Sequence, residues 1–244
     1  MTNAGERGDT YLERHGSRGE IVFNRPHRRN ALSGPLVEIA HRGIDEFVAD
    51  DAIDVILLRG EGATFCAGAD IKAQRENPRP AWMEGFGDRW AELHGALYDC
   101  PKPIIGAVEG FAVGGGAALA LACDVMFVGV STQLQLIEVS IGMPAPVNLA
   151  WLDIKYRGIA PELVLSADRY SGPELVERGL AARVVADDAV LGEARAYADH
   201  LGAHPRRGLV AAKATMRALD GIENFGDRVK MAQAAWSADS GQAI

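Results

Sequence analysis

The chain has 244 residues, of which 48% are hydrophobic and 24% are charged, so it can fold around a sizeable core. Its formal net charge of −8 argues against nucleic acid as a partner, because phosphate backbones bind basic surfaces. The three cysteines, Cys66, Cys100 and Cys123, follow no CxxC spacing and predict free thiols rather than disulfides or a zinc site.

The sequence predicts no membrane partner. Its most apolar stretch, Ile104–Val130, contains Glu109, Asp124 and many glycines, so it lacks the roughly 18–20 uninterrupted apolar residues of a span. The N-terminal residues Met1–Arg7 have no apolar core and do not resemble a signal peptide. The cytoplasm is therefore the expected location.

Predicted strands and helices alternate in the first part of the chain, after polar first residues that are expected to be frayed. Short apolar runs predict strands, which are Glu20–Asn24, Val55–Leu58, Ile104–Val108, Val125–Val130 and Gln133–Ile137. Helical spacing of apolar residues predicts helices, which are one capped by Ser33 and ending at Asp50, then Trp82–Leu97 and Ala117–Cys123. The aromatic stripe of Trp82, Phe86 and Trp90 is expected to be core.

Beyond Pro146 the pattern is mainly helical. The predicted helices are Asn148–Tyr156, Pro161–Ser166, Pro173–Arg178, Leu191–Leu201, Arg207–Asp220 and Glu223–Trp236, with a brief strand at Ala182–Val185. Strand–helix alternation followed by helices predicts an α/β core with a helical C-terminal region. We place the core at residues 1–190 and the C-terminal region at residues 191–244.

Two glycine-rich turns each follow a predicted buried strand. One lies in Gly60–Lys72, around Gly68–Asp70, and the other is Gly110–Gly116. The first N–H groups of a helix have no intrahelical acceptor and favour an anionic oxygen, so such turns can bind one. Tight packing is the other interpretation of the glycines. A nucleotide-phosphate cradle is less favoured, because GxGxxG and GxxxxGK[ST] patterns are both absent there.

Four segments carry a family resemblance. They are NRPHRRNAL (Asn24–Leu32), FCAGADIK (Phe65–Lys72), PKPIIGAVEGFAVGGGAALALACD (Pro101–Asp124) and SGPELVERGLAARVV (Ser171–Val185). In order and spacing they resemble the crotonase, or enoyl-CoA hydratase/isomerase, superfamily. The resemblance extends over nearly the whole chain, from Ile21 to Met216.

The resemblance implies a fold and an assembly. The expected fold is a spiral of ββα units with two near-perpendicular sheets, followed by helices in residues 191–244 that mediate oligomerisation. The expected assembly is a homotrimer, or a hexamer formed as a dimer of trimers. The implied ligand is an acyl-CoA thioester, so CoA is part of the substrate and no separate cofactor or metal is expected.

The resemblance also implies particular site residues. The backbone N–H groups of an oxyanion hole fall on Ala69 and Gly115, where each such donor is worth roughly 3–4 kcal/mol. CoA is expected along the segment Ala67, Asp70, Ile71 and Lys72. Lys72 and Arg28 are candidates to neutralise its phosphates. For each basic residue a solvated surface role is the alternative, and Asp70 also suits a structural role.

The resemblance places one catalytic carboxylate on Glu138. Family hydratases have a second glutamate two residues after the glycine triplet, and this chain has Ala118 there. The apolar residues around Glu138, namely Leu134, Leu136, Ile137, Val139 and Ile141, predict a raised pKa that suits a base. A surface carboxylate is the alternative interpretation of Glu138, and Glu109 is the other carboxylate considered as a replacement at Ala118.

A single carboxylate suits one kind of reaction better than another. It can remove a proton from C2 and return it at C4, which is Δ3,Δ2-enoyl-CoA isomerisation. Hydration of a 2-enoyl-CoA, as in fatty acid β-oxidation, ordinarily positions its water between two carboxylates. The sequence therefore favours an isomerase, with a hydratase and a catalytically weak acyl-CoA binding protein as alternatives.

Overall fold

A computed structural model of the chain describes residues 8–218, 225–227 and 230. The strands are β1 Thr10–His15, β2 Arg18–Phe23, β3 Val55–Gly60, β4 Ile104–Val108, β5 Phe111–Val113, β6 Val125–Gly129, β7 Gln133–Gln135, β8 Arg169–Ser171 and β9 Arg183–Val185. The helices are α1 Gly34–Ala49, α2 Ile71–Gln74, α3 Phe86–Asp99, α4 Gly115–Ala122, α5 Pro146–Lys155, α6 Ala160–Ser166, α7 Gly172–Glu177, α8 Val190–Gly202 and α9 Arg206–Ala218.

Six strands form the larger sheet, in the order β1-β2-β3-β4-β6-β9. All neighbouring pairs are parallel except β1 with β2, which is antiparallel. Every residue of β2, β3 and β4 is buried. One face of the sheet packs on α8 through Val190, Ala194 and Ala198, and the other belongs to the main core. The all-apolar runs of the sequence are thus strands covered on both faces.

The smaller sheet, β5-β7-β8, carries the segments that build the candidate site. β5 runs directly into the turn at Gly114 and then into α4, whose first residue is Gly115. β7 leads into a 3-10 helix at Glu138–Ile141. The segment around Cys66 lies beside β5 through a bridge between Cys66 and Ala112. Three distant parts of the chain therefore meet at this sheet.

Two local expectations were wrong. Met1–Arg7 lie outside the described residues, but Thr10–His15, also expected to be frayed, pairs with β2 as an edge strand that buries Thr10 and exposes Arg14 and His15. Residues beyond Gln135 leave the predicted strand, so that Val139 and Ile141 are exposed instead of packing around Glu138. A 3-10 turn rotates successive side chains around its axis, which places these two on the outside.

The C-terminal region begins with helices that pack on the core. In α9, Lys213 Nζ is 2.5 Å from Asp124 Oδ2, and that oxygen also accepts a 2.7 Å bond from the Ile104 N–H. The predicted helix Glu223–Trp236 lies largely outside the described residues, and the oligomerisation role of residues 191–244 stays a prediction. In the part of the chain that the structure describes, no helix is both long and apolar enough to cross a membrane.

Candidate functional site

The two glycine-rich turns lie against one another. The N–H of Cys66 donates to Phe111 O at 2.9 Å, and the N–H of Val113 donates to Cys66 O at 3.1 Å. A Cβ placed on Gly68, whose φ is +83°, would lie 2.4 Å from Val113 O, and one on Gly116 would lie 2.0 Å from Cys66 O. Real Cβ atoms do not approach backbone so closely, so tight packing does require these glycines.

The same contact brings together the two predicted oxyanion donors. A Cβ on Gly68 would be 3.6 Å from Gly115 N, so the chain next to Ala69 touches the start of α4. Gly115 is the first residue of α4, and a helix leaves its first N–H groups without an intrahelical acceptor. Within the described ranges, no backbone hydrogen bond uses the Ala69 N–H. Both N–H groups are thus available to an oxygen at the turn.

The Glu138 carboxylate lies at the Gly114 turn. A Cβ placed on Gly114 would be 3.4 Å from Glu138 Oε1. Oε1 accepts a 2.8 Å bond from Asn148 Nδ2, whereas Oε2 is buried and has no hydrogen-bond partner among the described residues. Burial raises the pKa of Glu138, and the bond from Asn148 opposes that rise only in part. The arrangement places a proton acceptor beside the predicted oxyanion donors.

Asn148 is a polar residue of the site that the sequence did not single out. It is 2% exposed, and its Nδ2 also donates to Gly114 O at 3.3 Å. The same carbonyl accepts the N–H of Ala118 at 3.0 Å, so Asn148 lies beside the position of the missing glutamate. The feature of the sequence that could have indicated Asn148 is an amide side chain within the apolar first turn of a predicted helix, ten residues after Glu138.

Glu109 belongs to a different electrostatic environment. Burial raises its pKa, and the charged residues that act on it are Arg59, Glu61 and Asp187. None of these residues, nor Glu109 itself, contributes to the pKa shift of Glu138. The structure therefore gives no support to Glu109 as a substitute for the carboxylate missing at Ala118.

The residues predicted to contact CoA line one cavity of about 550 Å³. Its walls comprise His27, Arg28, Arg29, Ala31, Ala67, Ala69, Asp70, Ile71 and Lys72. The exposed Lys72 and the half-buried Arg28 both contribute positive charge to this wall. The cavity thus joins a basic surface to the predicted oxyanion donor Ala69.

Asp70 holds this loop together. One of its oxygens accepts the Ala73 N–H at 3.0 Å and caps α2, and the other accepts a 3.0 Å bond from Arg25. Burial alone would raise its pKa, but these two bonds outweigh that effect and lower it. Arg28 Nη1 lies 3.6 Å from the same carboxylate. These contacts favour the structural interpretation of Asp70.

A smaller cavity of about 290 Å³ also has Ala69 in its wall. It is lined by Leu32, Ala69, Asp70, Gln74, Arg79, Trp82, Met83 and Phe86. Trp82 and Phe86 are only half-buried, so this end of the predicted aromatic core stripe forms a cavity wall instead. Apolar side chains next to an oxyanion donor provide space for an apolar acyl group.

The cysteines are free and buried, as the sequence predicted. Burial raises the pKa of Cys66 to about 12 and that of Cys123 also to about 12. Thiols with such values carry almost no thiolate at neutral pH. Cys66 and Cys123 are therefore poorly suited to act as nucleophiles.

Comparison with known proteins gives a consistent result. The family described as enoyl-CoA hydratase/isomerase matches residues 13–234. The 2,3-dehydroadipyl-CoA hydratase of Escherichia coli strain K12 is 30% identical over 81% of this chain and 77% of that protein. The mitochondrial enoyl-CoA hydratase of Pongo abelii is 30% identical over 80% of this chain and 67% of its own length. A Thermobifida fusca structure in complex with CoA has a TM-score of 0.78 and 26% identity, covering 100% of this chain and 98% of that one.

Proposed function

This chain belongs to the enoyl-CoA hydratase/isomerase family, and we propose that it isomerises 3-enoyl-CoA thioesters to 2-enoyl-CoA thioesters. The observation that carries the proposal is that Glu138 is the one carboxylate found at the Gly114 turn among the described residues, with Ala118 where a hydratase has its second glutamate. A reaction that moves one proton between two carbons needs one acid–base group.

Glu138 is the proposed base. Its Oε2 takes the proton from C2 of the substrate, and the electron pair of that C–H bond passes into the conjugated thioester. The intermediate is a dienolate with double bonds at C1–C2 and C3–C4. The same oxygen then returns the proton at C4, the thioester carbonyl re-forms, and the remaining double bond lies between C2 and C3. Burial favours this role, because a raised pKa brings the carboxyl closer to the working pH.

The backbone N–H groups of Ala69 and Gly115 are the proposed oxyanion donors. Negative charge that leaves C2 accumulates on the thioester oxygen, and two fixed N–H dipoles stabilise it there. Support comes from the contact between the two turns, which brings Gly68, next to Ala69, close to the Gly115 N–H, and from Glu138 Oε1, which lies near Gly114. Since the donors are backbone groups, their positions depend on the glycines that pack the turns.

The CoA portion is proposed to lie along Ala67, Asp70, Ile71 and Lys72, with Lys72 and Arg28 near its phosphates. Support comes from the shared cavity that these residues line. The acyl group would enter the apolar cavity beside Ala69. No further cofactor and no metal is required by this mechanism.

Hydration of a 2-enoyl-CoA is the second candidate. The Oδ1 atom of Asn148 and the Oε2 atom of Glu138 are both buried acceptors with no partner among the described residues. One water molecule could donate to two such acceptors, and relatives of this chain carry hydratase names. A third possibility is that the protein binds acyl-CoA without catalysis, in which case the two glycine-rich turns would still bind the thioester but Glu138 would have no catalytic role.

Incubation of the protein with panels of 3-enoyl-CoA and 2-enoyl-CoA esters, beside the Glu138→Gln variant, tests these alternatives. The proposal expects conversion of 3-enoyl-CoA that Glu138→Gln abolishes. Water addition to 2-enoyl-CoA without isomerisation would replace it by the hydratase. Binding of CoA esters with neither reaction above background would indicate a binding protein.

Assembly is a separate proposal. By membership of the family we expect a homotrimer or a hexamer, with residues 191–244 at the subunit contacts. Sedimentation velocity measures this directly at several protein concentrations. A monomer at all of them would contradict it.

A further inference from the structure

One amide group contacts both halves of the candidate site. The two hydrogens of Asn148 Nδ2 are directed to Glu138 Oε1 at 2.8 Å and to Gly114 O at 3.3 Å. The Gly114 carbonyl and the Gly115 N–H belong to the same peptide unit. Asn148 therefore connects the proposed base to the peptide that supplies a proposed oxyanion donor.

The orientation of this amide is determined by its partners. A carboxylate oxygen and a peptide carbonyl are both acceptors, so only the NH₂ end can face them. The reversed amide would place its oxygen against two acceptors and lose both bonds. The orientation found leaves Asn148 Oδ1 without a partner in the described part of the chain.

The two bonds have different consequences. The bond to Oε1 occupies that oxygen as an acceptor, so Oε2 is the carboxylate oxygen left to receive a proton. The bond to Gly114 O adds to the one from the Ala118 N–H, and donors to a peptide carbonyl polarise its N–H. Because Nδ2 is also bonded to Gly114 O, its single bond to Oε1 restricts the rotation of the Glu138 side chain.

We propose that Asn148 is the positioning residue of this site, holding Glu138 and the Gly114–Gly115 peptide in one fixed relation and leaving Oε2 to carry the proton. The proposal rests on the proposed role of Glu138 as base. It adds a residue that acts through Glu138 and touches no reacting atom.

Among the described residues, no charged side chain is bonded to Glu138 in place of Asn148. Near Glu138, β5, β7 and α4 carry no titratable residue, and the acidic and basic groups of α5 and α6 lie in other pairings. Asp153 pairs with Arg157, Glu162 pairs with Arg178, and Lys155 donates to three carbonyl oxygens at the end of α4. None of them contributes to the pKa of Glu138.

The test measures proton removal by itself. Wild type and Asn148→Leu are incubated with a saturated acyl-CoA in D₂O across a range of pH, and deuterium at C2 is followed by mass spectrometry. Displacement of the base should slow exchange on the order of 100-fold. The acid limb of the pH profile should move to higher pH, because Asn148 stabilises the charged carboxylate.

Gln135→Leu is the matched control. Its side-chain amide, on β7, also donates to a backbone carbonyl, that of Ala167 at 2.8 Å, and accepts a 3.0 Å bond from Arg169, but it has no bond to Glu138. This variant should keep both the exchange rate and the acid limb of wild type. Circular dichroism and thermal unfolding of both variants show whether each is folded.

An infrared titration of the Glu138 carboxyl, with Glu138→Gln as the reference, needs no turnover and so separates this inference from the proposed reaction. A raised Glu138 pKa in Asn148→Leu supports the positioning role even if 3-enoyl-CoA is not isomerised. An unmoved pKa, or slower exchange with an unmoved acid limb, overturns it. If Asn148→Leu does not fold, Asn148→Asp gives a second measurement, since a second carboxyl should raise the pair's upper pKa.

Discussion

Two glutamates of this protein have buried carboxylates whose pKa values are shifted in opposite directions. Glu20, on β2 of the larger sheet, accepts bonds of 2.8–2.9 Å from Arg18, Arg59 and Arg195. Burial would raise its pKa, but the guanidinium groups of Arg195 and Arg59 outweigh that effect and lower it to about 2. Burial raises the pKa of Glu138, and the groups that oppose the rise, its own backbone N–H and the Asn148 amide, are both neutral.

The difference separates a structural carboxylate from a reactive one. When both oxygens of a carboxylate are bound to cations, its ionised form is stabilised and it remains deprotonated at neutral pH. Such a carboxylate also links the elements that supply those cations. A carboxylate that is desolvated and incompletely bound accepts a proton readily. The same residue type therefore serves the fold at Glu20 and is suited to chemistry at Glu138.

The largest expected effect is on activity at Glu138. Glu138→Gln should lower kcat by about 10²–10⁴-fold, since the amide cannot accept the proton. In wild type, kcat/KM should fall as pH decreases through the raised pKa of Glu138, where the base becomes protonated. Initial rates across pH check both effects. A variant that retains wild-type kcat would remove Glu138 from the reaction.

Stability should respond at Glu20 more strongly than at any exposed glutamate. Glu20→Gln should cost about 3–5 kcal/mol of unfolding free energy, because it leaves buried guanidinium groups without their anion. The matched control Glu46→Gln changes an exposed glutamate paired with Arg14 and should cost less than about 1 kcal/mol. Urea unfolding of both variants measures the difference, and equal losses would contradict it.

The pH dependence of stability should show the same contrast. Glu20 contributes stability above its unfolded pKa of about 4.3, and this is lost as pH falls towards its folded pKa of about 2. For Glu138 the sign is opposite, so its contribution is lost as pH rises through its raised pKa. Unfolding free energies measured over pH check this. The stability deficit of Glu20→Gln relative to wild type should shrink as pH falls towards 2, whereas Glu138→Gln should gain stability relative to wild type as pH rises through the raised pKa of Glu138.

A smaller effect tests the packing of the turns beside Glu138. Gly68 and Gly179 both have positive φ, but only Gly68 has a backbone oxygen where a Cβ would lie. Gly179→Ala should cost about 1–2 kcal/mol from backbone strain alone. Gly68→Ala should cost more and should also lower kcat, because the oxyanion donors move. Thermal unfolding and kcat of the two variants show whether the close approach between Gly68 and Val113 O is required.

The smallest expected effect is at the edge of the CoA cavity. Lys72→Ala should raise KM for a CoA ester about fivefold and leave kcat unchanged, since an exposed cation contributes little binding energy. The control Arg157→Ala removes an exposed cation that does not line this cavity. Added salt should reduce the difference between wild type and Lys72→Ala. If Lys72→Ala has the KM of wild type at low salt, the CoA phosphates do not bind near Lys72.

Local pattern was sufficient for much of the fold. The buried strands and the amphipathic helix capped by Ser33 were predicted because each has a continuous run or a regular period. The edge strand Thr10–His15 was not, since its sequence TYLERH has neither a continuous apolar run nor a regular alternation, although β2, with which it pairs, follows closely along the chain. The 3-10 helix at Glu138 was missed because its apolar residues suit a strand equally well.

For the candidate site, the sequence by itself determined the glycines of both turns, the single carboxylate Glu138 and the alanine at Ala118. These are local features, written in consecutive residues. Only the tertiary structure decided that Asn148 lies beside Ala118 and binds Glu138, and that Glu20 and Glu138 differ in acidity. Burial and hydrogen bonding depend on contacts between distant segments, and those contacts form only when the strands have taken their places in the two sheets.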